Sequence, residues 1–154
     1  MIKFEYMYLD TGFLDYETIA GFHVSVGNEE DWDDVVISYI TRGRQFKDHI
    51  SVPVTQEWLD KVCAFIKEQT QLRPLSSWIY KKPPQTSEHQ IIVEADGWYR
   101  EINLYNFGEF GRHHYPEFEE DEKVLLAFFN KMQEFFMEVG IDLSFNKVKK
   151  NVLS

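Results

Sequence analysis

The sequence is short of several things. It has one cysteine, Cys63, in 154 residues, which rules out an internal disulfide framework and a multi-cysteine zinc site and fits a reducing compartment. No long apolar run exists either: the strongest, VLLAFF at 124–129, is far too short to span a bilayer. The opening MIKFEYMYLD carries Lys3, Glu5 and Asp10 where a signal peptide would need an unbroken apolar core, so the expectation is a soluble cytoplasmic protein that does not engage a membrane. Basic residues are in deficit, 16 against 26 acids, for a net charge of −10. Such a field repels phosphate backbones and anionic head groups, which disfavours nucleic acid as a partner. GxGxxG, GxxxxGK[ST], GxSxG and HExxH do not occur, so the mechanisms those motifs signal have no support. Residue-level repeats and a domain-splitting linker are also missing, and residues 1–154 are expected to form one domain.

Aromatic residues are abundant. They make up 16% of the chain, with 13 Phe, 8 Tyr and 4 Trp; a chain of this length buries roughly 68–70% of its unfolded surface, so one core can offset the entropy of ordering it. Ile2, Phe4, Tyr6 and Tyr8 alternate as a half-buried strand does. Asp10, Gly12 and Asp15 supply turn chemistry, and Phe22, Val24 and Val26 alternate again up to Gly27, which suggests a hairpin. VVISYIT at 35–41 is β-branched and aromatic, a third strand. SSWIY at 76–80 suggests a short one, and KKPPQTSEH at 81–89 has the composition of a loop.

Asp96-Gly97 between IIVEA and WYREINLY is the dipeptide favoured by type I′ hairpin turns. A two-residue loop there sets Ala95 against Trp98, Val93 against Arg100, Ile91 against Ile102 and His89 against Leu104 on the core side. Glu94, Tyr99, Glu101 and Asn103 then share the wet side, with Ile92 as the apolar exception and Arg100 as the charged intruder on the dry side. Two helices are expected. One covers about 56–70, capped by Thr55, with Glu57 in its first turn and a stripe of Leu59, Val62, Cys63 and Ile66. The other covers about 117–139, with Leu125, Phe128, Phe129, Met132, Phe135, Phe136 and Val139 at helical spacing and Gly140 at its end. The fold class is therefore α+β: a mainly antiparallel sheet of five to seven strands with both helices on one face. Residues 142–154 form either an edge strand or a loosely held tail.

In NFGEFGRHHYPEF at 106–118, Pro116 suits a first helical turn and the acids at 117–122 suit its positive end, while Gly108 and Gly111 permit a connecting turn. His113 and His114 are left over. Adjacent residues in extended chain point apart, and neither belongs to a metal-ligand spacing, so no metal or other cofactor is expected. Either histidine could act as a base, although the sequence names no nucleophile beside it. Cys63 reads as a small buried hydrophobe. Arg100 has three readings: it snorkels to the sheet edge, pairs with a carboxylate, or lies in an open groove that recognises an anion. With His113 and His114 it would then line the pocket of a small-molecule binder or hydrolase.

NEEDWDD at 28–34 places Glu29, Glu30, Asp31, Asp33 and Asp34 around Trp32. That is either an aromatic anchor in a charged rim, as protein interfaces use, or an indole folded back to seal the sheet beneath solvated acids. With EFEEDE at 117–122 the chain has two dense acidic clusters. In its size, acidity and these two clusters it resembles the immunity proteins that neutralise basic toxins in bacterial competition systems. The resemblance implies a non-enzymatic module that binds a basic protein such as a toxin domain through Trp32 and its neighbouring acids; it implies nothing about fold.

Overall fold

A computed structural model describes residues 1–10, 15–28, 34–76, 87–107 and 118–143. Its elements in chain order are β1 (Lys3–Asp10), β2 (Ile19–Gly27), β3 (Asp34–Thr41), β4 (Phe46–Pro53), α1 (Gln56–Lys67), β5 (Leu75–Ser76), β6 (Ser87–Ala95), β7 (Trp98–Tyr105) and α2 (Glu119–Glu138). The seven strands make one sheet in the order β4-β3-β2-β1-β6-β7-β5. Every pairing is antiparallel except that of β5 with β7. This is the α+β architecture the sequence implies.

Alternation decides which face is dry. Phe4 and Tyr6 of β1, Phe22, Val24 and Val26 of β2, and Ile91 and Val93 of β6 are buried together with Leu125, Phe128, Met132 and Phe136 of α2 and Leu59, Val62 and Ile66 of α1. Phe4 packs against Phe128 and Phe136, both at 5.9 Å between ring centroids. Tyr6 meets Phe129 edge-on at 4.7 Å. The helices lock to one another as well as to the sheet: Trp58 Nε1 donates to the Phe135 carbonyl at 3.0 Å, and Phe65 stacks on Phe128 at 5.8 Å.

The helix ends follow the local signals. Thr55 accepts from the Trp58 amide at 3.1 Å. At the end of α2, Gly140 takes φ +82° and donates to the Met137 carbonyl at 3.1 Å, while Ile141 donates to that of Phe136 at 2.9 Å, the paired bonds of a left-handed helix stop. No side chain caps the other end; four acids, Glu119 to Glu122, occupy the first turn instead. Glu119 and Glu120 are exposed and Asp121 half-buried, but Glu122 is buried.

The register predicted for the β6–β7 hairpin is the one observed, from Ala95 with Trp98 to His89 with Leu104. Its turn differs. Gly97 alone has positive φ, at +92°, and Asp96 does not, so the geometry is not type I′, which needs both residues there. The N-terminal amine forms a salt bridge to Asp96, whose carboxyl is held below its ordinary range by that hydrogen bond. Two further expectations are corrected. Ser87, Glu88 and His89 belong to β6 and not to a loop, because Ser87 and Asn106 exchange hydrogen bonds at 3.0 and 3.1 Å and tie the strand end down. The sheet also has β4, a strand the sequence did not announce, since mainly Ile50 and Val52 turn partly inward. Of the segment expected as a strand at 76–80, only Ser76 is described; it ends β5.

β4 is an edge, and its backbone is interrupted. The register shifts between Ile37 and Tyr39, and Asp48 lies at φ +54°. A bulge carrying a charged residue at left-handed φ blunts the edge against pairing with another chain.

Candidate functional site

Neither helix packs on the second face of the sheet. Direct antiparallel partners put their side chains on the same side, so the pairings define rows that run across it. Gly27, Lys3, Glu94 and Tyr99 form one row, and Val36, Ser25, Glu5, Ile92 and Glu101 the next. Asp34 is two residues from Val36 on β3, hence on this same face, level with Gly27.

This end of the face is acidic and, among the described residues, carries one free aromatic. Tyr99 is 51% exposed. Its phenol is pushed above the ordinary tyrosine value by partial desolvation first, and then by the charges of Glu101, Glu5 and Glu94. Of these, Glu94 is the direct partner of Tyr99 across the hairpin and Glu101 is two residues along the same strand, while Glu5 stands two strands away on β1. Glu5 is itself held below the ordinary carboxylate range, chiefly by a hydrogen bond from His23, whose Nε2 lies 3.4 Å from Oε1. Lys3 Nζ stands 3.6 Å from the same oxygen.

The middle of the face is a polar row of Ser38, His23, Met7, Gln90 and Asn103. Gln90 Nε2 donates to Glu101 at 3.1 Å and to Asn103 at 3.0 Å, and Ser38 Oγ hydrogen-bonds His49 Nδ1 at 2.5 Å. At the far end, Leu9, Ala20 and Ile40 make a small second apolar cluster. There Arg44, from the β3–β4 turn, donates to Glu88 of β6 at 2.6 Å. The turn thus curls over the end of the face, and Gly21 permits the close packing beneath: a Cβ on it would sit 1.9 Å from the Tyr8 carbonyl oxygen.

The residues singled out from the sequence are distributed unevenly. Asp34 opens β3, partly buried. Glu29, Glu30, Asp31, Trp32 and Asp33 lie outside the described residues, as do His113, His114, Pro116, Gly108 and Gly111. Arg100 takes the edge position among its readings: Nε donates to the Leu72 carbonyl at 2.6 Å and one terminal nitrogen to the Tyr99 carbonyl at 2.9 Å. Its guanidinium also lies 5.2 Å from the Trp98 ring. Its partners are carbonyls and an indole, with no carboxylate among the described residues. Cys63 is half-buried, and burial first, then the Asp60 charge, pushes its thiol up to about 11.

The acids at the start of α2 do not join the acidic end of the helix-free face. Phe129 of α2 packs on Phe107 and Phe136 on Phe4, so the acid-rich start of α2 lies toward the Phe107 end of the sheet. Asp34 and Tyr99 lie at the opposite end. Sequence reasoning placed Glu94, Tyr99 and Glu101 on the wet side of a hairpin but did not single them out. The signal that would have done so is long-range, the pairing of β1 with β6 that brings Glu5 and Lys3 beside them.

Among the described residues, no three His, Cys, Asp or Glu side chains gather to hold a metal ion, and no helix is long and apolar enough to cross a membrane. Comparison with protein-family models and with curated proteins finds no match to the chain.

Proposed function

We propose that the protein is a non-enzymatic binding module that captures a basic protein partner, in the manner of the immunity proteins it resembles. The docking surface is the acidic end of the helix-free face, to which we add Glu29, Glu30, Asp31, Trp32 and Asp33, the residues between β2 and β3 in sequence. The observation that carries this reading is the placement of Asp34 level with Lys3, Glu94 and Tyr99 on the face that neither helix covers, with Glu5 and Glu101 in the adjoining row. Four carboxylates against the single ammonium of Lys3 give that end a negative surplus. Such a surface steers a cationic partner in and sets its orientation, while the exposed aromatic supplies area that can be desolvated.

The test is capture from an extract of the source cells at low and at high salt. The wild-type chain should retain a specific basic protein at low salt and release it at high salt. Reversal of Glu29, Glu30, Asp31, Asp33 and Asp34 to lysine should abolish retention. Capture indifferent to that reversal would overturn the proposal.

A further inference from the structure

Trp98 and Tyr99 are neighbours on β7 that point to opposite faces, and the protein treats their rings differently. Trp98, on the helix side, already has a cation, the guanidinium of Arg100 at 5.2 Å from its ring. Tyr99, on the uncovered side, is 51% exposed and has no cation over its ring, no ring partner and no side-chain hydrogen bond among the described residues. It is nevertheless flanked by Glu94, its direct partner on β6, and by Glu101 two residues along β7, with Glu5 two strands away in the row of Glu101. An aromatic face attracts a cation through its quadrupole, and guanidinium does so with less desolvation cost than ammonium. Carboxylates at the rim add attraction and accept the hydrogen bonds a guanidinium offers.

We infer that Tyr99, rimmed by Glu94 and Glu101, is the seat for a single arginine side chain of the partner, stacked on the phenol ring and bonded to those carboxylates. This rests on the docking role proposed above and adds to it the chemistry of the anchor. The preference is for arginine over lysine, because only a planar group can lie flat on the ring and still reach two carboxylates.

The experiment uses hexa-arginine and hexa-lysine peptides as probes against the full chain at low salt, with tyrosine ring signals followed by NMR. Hexa-arginine should shift the Tyr99 ring signals and bind more tightly than hexa-lysine. Tyr99→Leu should weaken hexa-arginine roughly three- to fivefold and erase the preference, whereas Tyr99→Phe, which keeps the ring, should stay within about twofold of wild type. If Tyr99→Leu binds like wild type while E94Q/E101Q weakens both peptides, the seat is refuted and the acidic docking face survives. If neither change matters, both ideas fail. Equal losses for Tyr99→Phe and Tyr99→Leu would also overturn the inference, since the hydroxyl and not the ring would be responsible.

Discussion

The Tyr6 phenol and the His89 imidazole hydrogen-bond across β1 and β6, with 2.7 Å between Oη and Nδ1. The other ring nitrogen, Nε2, bonds Ser87 Oγ at 2.8 Å. Both nitrogens are thus satisfied by hydroxyls in a histidine only 4% exposed, between the rings of Tyr8 and Phe107. Ser87 and His89 have the spacing of a nucleophile and its base, yet the pair is sealed in the core. Burial lowers the histidine from 6.5 to about 3, which makes it a poor base at neutral pH. Its role is to satisfy the core.

That arrangement predicts acid sensitivity. Above pH 6.5 His89 is neutral in folded and unfolded chains and contributes no pH dependence. Below it, the unfolded chain takes up a proton that the folded one refuses, so stability falls with pH until about 3, where the folded form titrates too. The slope is about 1.4 kcal/mol per pH unit for one proton, so His89 accounts for a loss of about 2–3 kcal/mol between pH 7 and 4.5. Urea unfolding at those two pH values should show it, and His89→Gln should show a loss smaller by about that amount.

The Arg44–Glu88 pair predicts an asymmetry. The Glu88 side chain is 5% exposed and that of Arg44 52%. Arg44→Met removes the cation from a buried carboxylate, whereas Glu88→Gln leaves a half-solvated guanidinium. The first should cost about 2 kcal/mol and the second less than 1. Chemical denaturation of the two variants at pH 7 checks the order.

Two glycines should respond differently to alanine. At Gly21 the added Cβ meets the Tyr8 backbone, with its carbonyl oxygen at 1.9 Å and Leu9 Cα at 2.9 Å, so strands β1 and β2 must move apart; a loss of about 3 kcal/mol or more is expected. At Gly97, φ is +92° with nothing within 4 Å, and only the backbone preference is lost, about 1 kcal/mol. Thermal unfolding should rank them in that order.

Cys63 should be slow toward thiol reagents. With its thiol pushed up to about 11 by burial and by Asp60, the thiolate fraction at pH 8 is on the order of one in a thousand. Alkylation of the native protein at pH 8 should lag far behind that of the urea-unfolded chain.

The fold was legible where a local period was strong. α2 declares itself through Leu125, Phe128, Met132 and Phe136, and the β6–β7 hairpin through Asp96-Gly97 and the alternation on either side. β4 escaped notice because an edge strand has one neighbour and little to bury, so Phe46, Lys47, Asp48 and His49 are all exposed and set no clear pattern. The acid-flanked Tyr99 was half legible. Its own hairpin partners Glu94 and Glu101 could be read from the turn, but Glu5 reaches it through the packing of β1 against β6, a pairing between residues far apart in the chain that no local signal specifies. The Arg44–Glu88 contact, which spans three strands, was hidden for the same reason.

The central claim is that negative charge is directed to one face for docking. The most direct test is equilibrium binding of a deca-lysine peptide at low salt to wild type, to E5K/E94K/E101K and to E119K/E120K/D121K. The two variants change net charge equally, one on the helix-free face and the other in the first turn of α2, where Glu119 and Glu120 are exposed. The account predicts that reversal on the face abolishes binding while reversal on the helix weakens it only modestly. Equal losses from both would mean that the acids act as a diffuse coat, and would contradict it.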